Sequence, residues 1–166
     1  WFLENIDLKA KRPYEIVKRV LDIIISIFFL VLSSPLWPFI AITIATTSRG
    51  PVFFRQTRLG HFEKPFTILK FRTMQIEGNG HEPTSINDPR VTRIGHFLRA
   101  SRLDELPQLI NILKGDMSFI GPRPERPDIA GELKKAIPFY SQRHLIKPGV
   151  TGWDQVSCEY HSCSIE

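Results

Sequence analysis

The chain has 166 residues, with 22 Lys and Arg against 17 Asp and Glu and a net charge of +5. That length suits one domain with a sizeable core, and the basic excess points to anionic partners, either membrane headgroups or phosphorylated substrates. Nucleic acid is not indicated: there is no C2H2 spacing, no aromatic RNP pattern and no long basic helix.

Trp1 is not a natural start, so the sequence is expected to be a fragment of a longer protein. Tyr14, Val17, Val20 and Leu21 fall at helical spacing, which predicts a helix beginning after Pro13. It leads into Val20 to Ala45, the one run long and apolar enough to leave water. At ~1.5 Å per helical residue this run could reach across a ~30 Å hydrocarbon core. Ser33, Ser34, Pro35 and Pro38 interrupt it, and proline removes a backbone donor and clashes with the carbonyl four residues back. The arms Ile23–Leu32 and Leu36–Ala45 are each about half of what a span needs. Basic residues flank both ends, Lys9 to Arg19 before and Arg49, Arg55 and Arg58 after. Because basic flanks favour the cytoplasmic side, both ends ask for the same side, which a re-entrant hairpin satisfies. A proline-kinked spanning helix and a buried core helix are the alternatives. Asp22 sits at the edge of the run, within reach of Lys18 or Arg19 for neutralisation. The run is too long and too internal for a signal peptide.

Beyond the run, Gly50-Pro51 marks a turn and Val52 to Phe54 reads as a short strand. Phe66 to Met74 reads as a second extended segment, with Lys70 and Arg72 on one face by period two. Glu77 to Pro89 is rich in Gly, Pro, Asn and Asp and is expected to be a mobile loop. Ile94, Phe97 and Leu98 predict a short amphipathic helix over Val91 to Arg99. Leu106, Leu109, Ile110 and Leu113 form the next helical stripe, closed by Lys114 and Gly115. Pro107 is tolerated only in the first turn, which puts Asp104 and Glu105 at the helix N-terminus. Asp104 as a plain N-cap would explain that placement without any chemistry. Pro122, Arg123-Pro124 and Arg126-Pro127 fix an extended loop. Such a loop is either a rigid linker or a holder of guanidinium groups for phosphate. Ile129 to Tyr140 reads as helix up to Pro138, followed by a turn-rich basic segment from Arg143 to Trp153. Cys158 and Cys163 have no partners at zinc spacing and are too few for a disulfide framework, so reduced thiols are expected.

Several of these segments occur together in one order: KRVLDIIIS before the Ser-Pro break, GPVFFRQTRLG, KFRTM, LDELPQL with GPRPE downstream, and KPGVTGW. In this the chain resembles the bacterial sugar transferases, the monotopic phosphoglycosyl transferases of surface-polysaccharide and glycoconjugate assembly. The resemblance reaches from the start of the chain to about Val156. It implies an α/β (α+β), mostly helical fold, with a re-entrant helix-hairpin over about 20–46 and a small interfacial globular part over about 47–166 making one catalytic domain. It implies transfer of a sugar-1-phosphate from a UDP-sugar to polyprenol phosphate through an aspartyl-phosphosugar intermediate with Mg2+. On this resemblance Asp104 is the nucleophile and Glu105 the metal ligand, and Ser34 and Pro35 make the break in the membrane helix. Lys70, Arg72, Arg123 and Arg126 are the basic groups available to the diphosphate. The implied setting is the cytoplasmic face of the bacterial inner membrane, with homo-oligomers allowed. Family members usually continue past KPGVTGW with further amphipathic helix, whereas this chain ends in SCEYHSCSIE, so a C-terminal truncation is expected. Two other classes remain open, a non-catalytic membrane-anchored scaffold and a phosphohydrolase using the same acidic pair.

Overall fold

The computed structural model describes the backbone of residues 8–75 and 88–152, with side chains from Pro13 onward. Most of the expected loop at Glu77–Pro89, Trp153 and both cysteines lie outside the described residues. Helix α1 spans Leu8–Ser33 and carries Pro13 inside it, rather than beginning after it. One missing amide bond near the start of a 26-residue helix is outweighed by the rest of the ladder. Helix α2, Leu36–Thr47, follows at an angle of 63°.

The bend at Ser34–Pro35 is built from local hydrogen bonding. Pro35 has no N–H to give the Val31 carbonyl four residues back. The Ser34 amide (3.3 Å) and Ser34 hydroxyl (2.8 Å) donate to that carbonyl instead. Pro38 deprives the Ser34 carbonyl in the same way, and the Trp37 amide donates to it at 3.3 Å. Trp37 Nε1 donates to Ser33 Oγ at 3.2 Å and closes the corner. No single helix among the described residues is long and apolar enough to cross a membrane; the bent pair qualifies together by length and composition.

The pair is not a buried core element. Ile24, Phe28, Val31, Leu32, Phe39 and Ile42 are each 58–69% exposed. A contiguous apolar surface of that kind marks an interaction with lipid or another apolar partner. Asp22 also departs from expectation. Lys18 Nζ donates to the Ile120 carbonyl at 2.9 Å, and Arg19 donates to the Ile112 and Leu113 carbonyls at 2.5 and 2.7 Å. Asp22 is buried and accepts from the Phe119 amide at 3.4 Å.

Strands β1 (Phe53–Leu59) and β2 (Pro65–Phe71) pair antiparallel in the register Phe53↔Phe71 to Leu59↔Pro65. The first strand is longer than expected because its polar half, Arg55 to Arg58, is carried by cross-strand pairing rather than by its own hydrophobicity. The second ends at Phe71, three residues early. The Thr73 carbonyl turns away to accept from the Thr92 amide at 3.0 Å. Thr92 caps helix α3, Arg93–Ala100, by accepting from the Gly95 amide. Leu98 is buried as the stripe requires, but Phe97 is 60% exposed.

A short 3-10 turn, Leu103–Glu105, then leads to α4, Gln108–Lys114, which ends on left-handed Gly115. Strand β3 (Ser118–Ile120) runs parallel to β4 (Gly149–Thr151), and α5 spans Pro127–Ala136 between them. Two apolar clusters hold these pieces. Ile40, Ile44, Phe71 and Leu98 join α2 to β2 and α3; Ile68, Leu109, Ile112 and Met117 join β2 to α4. Leu106 packs against both, and Leu30 of α1 packs against the second.

Gly95 permits the contact between α3 and the end of β2: a Cβ there would lie 2.1 Å from the Thr73 carbonyl oxygen. Gly95→Ala is expected to cost about 1–3 kcal/mol, read as a lower thermal midpoint, because the obstacle is backbone and cannot swing aside.

Candidate active site

The site is built on the junction between β2 and the Leu103–Lys114 segment. Asn111, 1% exposed, accepts from the Leu69 amide at 3.1 Å and donates to the Thr67 carbonyl at 2.8 Å. One side-chain amide thus stands in for a third strand along the free edge of β2. This sets the distance between β2 and the acidic pair. Lys70, on the β2 face shared with Ile68, reaches Glu105 at 2.7 Å.

Asp104 and Glu105 do not begin α4. They lie in the 3-10 turn, and Pro107 occupies the N-cap position of α4 with no side-chain cap bond. The expected N-cap role of Asp104 is therefore corrected. Without an N–H on Pro107 the chain tightens into i→i+3 bonding, with the Leu106 amide on the Leu103 carbonyl, and restarts as α-helix afterwards. The turn is entered through Arg102, whose φ of 58° is left-handed. A non-glycine residue rarely takes that conformation, and such strain gathers at functional sites.

Asp104 is 8% exposed. Burial raises its pKa above the ordinary 3.8; Lys70 and Arg99 pull it down and Glu105 pushes it up. Among the described residues no hydrogen bond to a cation offsets that burial, since Lys70 is committed to Glu105 and Arg99 donates to Thr73 Oγ1 at 2.9 Å. Two hollows meet at Glu105. On one side is a cavity of about 370 Å3 lined by Phe29, Leu106, Leu109 and Phe119, with Arg102 at its edge. On the other is a polar cleft lined by Arg58, Lys70, Gln108, Arg123 and Gly149.

The expected cations divide. Lys70 and Arg123 line the cleft. Arg72 does not: it is 5% exposed, lies just beyond β2, and donates to the carbonyl and hydroxyl of Ser48 at 2.8 and 2.9 Å. It closes the C-terminal end of α2. Arg126 sits at the start of α5, where its Nε donates to Asp128 at 3.1 Å. Ser34 and Pro35 lie at the bend, away from the acidic pair in sequence and joined to it through Leu30 and the second core cluster.

Sequence reasoning missed Arg58, Gln108, Asn111 and Arg102. Period two in β1 would have found Arg58, which shares a face with Gln56 and donates to it at 2.6 Å. Arg58 also donates to the Pro124 carbonyl at 3.1 Å, and the Leu59 amide to the Glu125 carbonyl at 2.9 Å, so β1 braces the Arg-Pro loop. Burial lowers the Arg58 pKa, opposed by Glu125. The loop is braced a second time where Gly121 and Gly149 pass. A Cβ on Gly149 would lie 2.1 Å from the Gly121 nitrogen, and Gly149 N–H donates to the Pro122 carbonyl at 3.0 Å.

The sequence profile of the family described as bacterial sugar transferase matches residues 13–166. The chain belongs to that family. It is 45% identical over 145 residues to the UDP-N-acetylgalactosamine-undecaprenyl-phosphate N-acetylgalactosaminephosphotransferase of Aeromonas hydrophila, covering 86% of this chain and 34% of the relative. It is 45% identical over 144 residues to the UDP-glucose:undecaprenyl-phosphate glucose-1-phosphate transferase of Escherichia coli K12, covering 86% and 31%. A Caulobacter vibrioides relative of that second name is 45% identical over 141 residues, covering 84% and 53%. The chain thus spans about a third of the length of the first two relatives.

The buried charge of Asp104 has opposite consequences for stability and for any reaction that needs it ionised. With its folded pKa raised, ionisation destabilises the fold; the effect is absent below about pH 3.8 and complete above the raised value. Asp104→Asn is expected to keep or raise the thermal midpoint at neutral pH and to leave it unchanged in acid. Lys70→Met removes a charge that lowers the Asp104 pKa, so the acid limb of a pH–rate profile should move to higher pH.

Proposed function

We propose that this chain is the catalytic domain of a phosphoglycosyl transferase, moving a sugar-1-phosphate from a UDP-sugar to polyprenol phosphate at the cytoplasmic face of a bacterial inner membrane. The observation that carries the proposal is the position of the acidic pair: a buried Asp104 next to a Lys70-paired Glu105 that lines both an apolar cavity against α1 and a cationic cleft. A lipid-linked acceptor and a water-borne diphosphate donor require such a two-sided site. Names of relatives that couple UDP-sugars to undecaprenyl phosphate support the same reading.

In this mechanism an Asp104 carboxylate oxygen attacks the phosphorus that bears the sugar. The bond from that phosphorus to the bridging oxygen breaks, and UMP leaves with the electron pair. A phosphate oxygen of the lipid then attacks the same phosphorus. The acyl-phosphate bond breaks, the product is a polyprenyl diphosphosugar, and Asp104 returns as a carboxylate. Covalent catalysis divides one hard transfer into two, and phosphoryl transfer depends mainly on positioning and charge neutralisation. Burial suits the nucleophile, because a poorly solvated carboxylate has less water to shed before attack. Arg58, Lys70 and Arg123 supply positive charge along the cleft, and Arg123 is held there because Arg143 grips its carbonyl at 2.9 Å.

Among the described residues no group of three or more metal-ligating side chains occurs. The acidic pair nonetheless fits Mg2+, which is commonly held by one or two carboxylates plus substrate phosphates. Glu105, with Asp104, would hold it, and when bound it neutralises diphosphate charge. The bent α1–α2 pair is read as a re-entrant membrane hairpin, supported by its 63° bend and its exposed apolar side chains.

Purified protein in nanodiscs, given Mg2+, polyprenol phosphate and a panel of UDP-sugars, should release UMP with at least one sugar and only when the lipid is present. Asp104→Asn should lower that release by at least about 10³-fold while remaining folded and membrane-bound. Lipid-independent release together with free sugar phosphate would instead favour a phosphohydrolase, and no release from the full-length protein would favour a scaffold.

A further inference from the structure

Three cations meet where α1 passes the C-terminal end of α4: Lys18 and Arg19 of α1, and Lys147, which lies just before β4. Arg19 and Lys147 converge on one point. A Cβ on Gly115 would lie 3.4 Å from Arg19 Nη2 and 3.7 Å from Lys147 Nζ, so no more than the sum of those distances separates the two nitrogens. Lys18 Nζ donates to the Ile120 carbonyl, and the next residue, Gly121, passes so close that a Cβ on it would lie 2.3 Å from the Lys147 carbonyl oxygen. Backbone carbonyls take only part of this charge. Arg19 uses two of its five N–H donors on Ile112 and Leu113, and Lys18 gives one of its three to Ile120. Among the described residues neither Arg19 nor Lys147 forms an ion pair. Asp116, beside Gly115, accepts from Asn111 Nδ2 at 3.4 Å, and the buried Asp22 accepts from the Phe119 amide. The partial negative charge of one helix end is small against three cations held this close. Around them the surface is aliphatic: Val17, Leu21, Ile120 and Ile146 are 51–71% exposed.

We propose that Lys18, Arg19 and Lys147 bind the headgroup phosphate of an anionic phospholipid, at a site separate from the acidic pair. The inference rests on the reading of α1 and α2 as a membrane hairpin and adds a lipid preference to it. The two sites lie at opposite ends of α4, whose seven residues span about 10 Å. A guanidinium offers phosphate oxygens a planar fork of donors, and a lysine ammonium adds a compact charge. Free phosphate has no use for the aliphatic rim. A phospholipid uses both, with its chains on Val17, Leu21, Ile120 and Ile146 and its phosphate among the cations. A choline headgroup carries its own cation and cancels the attraction, whereas an anionic headgroup keeps it, at about fivefold in binding per Lys or Arg. Because Arg19 also donates to the Ile112 and Leu113 carbonyls, a headgroup held there fixes that end of α4 to the membrane surface.

The test uses the protein in phosphatidylcholine nanodiscs containing a trace of phosphatidylglycerol with a diazirine at the start of one acyl chain. Photolabel is expected on peptides containing Ile120 or Ile146. Unlabelled phosphatidylglycerol should displace it; phosphatidylcholine, and inorganic phosphate at matched ionic strength, should not. Lys147→Gln should lower the labelling about fivefold, and Lys147→Arg should restore it. Lys135→Gln, which removes an exposed charge from α5, should leave it unchanged. Label spread evenly along α1 and indifferent to Lys147→Gln, or equal competition by phosphatidylcholine, would overturn the proposal. Displacement by inorganic phosphate would show a free-anion site and overturn it as well. Any of these results in discs that still hold the protein sinks the lipid site alone and leaves the hairpin reading standing. A protein that does not enter the discs sinks the hairpin reading and the lipid site with it.

Discussion

The architecture depends on how Asn111 meets the edge of β2. A two-stranded hairpin has an open edge on each side, and an open edge presents amides and carbonyls that must find partners. Asn111 satisfies one N–H and one C=O of β2 at 3.1 and 2.8 Å, and does so from within a helix. Because the side chain is short and nearly fully buried, the helix cannot slide along the strand without losing both bonds. Everything placed by α4 inherits that register. Glu105 arrives within 2.7 Å of Lys70, and Leu106 falls where the two apolar clusters meet.

The same economy joins the bent helix pair to the rest. Arg19 donates to the carbonyls of Ile112 and Leu113, at the end of α4, and Arg72 donates to Ser48 at the end of α2. Helix C-termini leave carbonyls without intrahelical partners and carry partial negative charge, so a guanidinium is a fitting closure for each. One clamp ties α1 to the helix after the acidic pair; the other ties α2 to the strand carrying Lys70. If α1 and α2 lie in lipid, both arms therefore report their position to the site through hydrogen bonds rather than through a flexible linker. This explains why conspicuous cations such as Arg72 stand apart from the cleft. They hold the bent helix pair.

Local chemistry was the part legible in the sequence. The break at Ser34–Pro35 follows from prolines removing donors, and the end of α4 from Gly115. The reading failed where a partner distant in sequence decided the outcome. Period two assigned Arg72 to the face of Lys70, but β2 ends at Phe71 and Ser48, 24 residues earlier, claims the side chain. Arg126 looked equivalent to Arg123 because each precedes proline, yet Asp128 lies two residues on and pairs with the former. Asn111 sat unnoticed in an apolar stripe because its two partners are 42 and 44 residues away. Arg58 was read only as a flanking charge, since the length of β1 is set by its pairing with β2.

The acidic pair shows how the same positions serve opposed demands. A carboxylate left in water would be easily ionised but heavily solvated; one buried without compensation would stay protonated. Asp104 lies between these limits. Burial raises its pKa, and Lys70 acts on it at a distance while bonded to Glu105. Among the described residues Glu105 thereby takes the direct ion pair with Lys70, and Asp104 has none. A 3-10 turn suits this division better than the first turn of a longer helix. It allows Pro107 to end the local bonding, which frees the acidic pair from capping α4 and leaves Glu105 lining the hollows on either side, with Asp104 buried next to it.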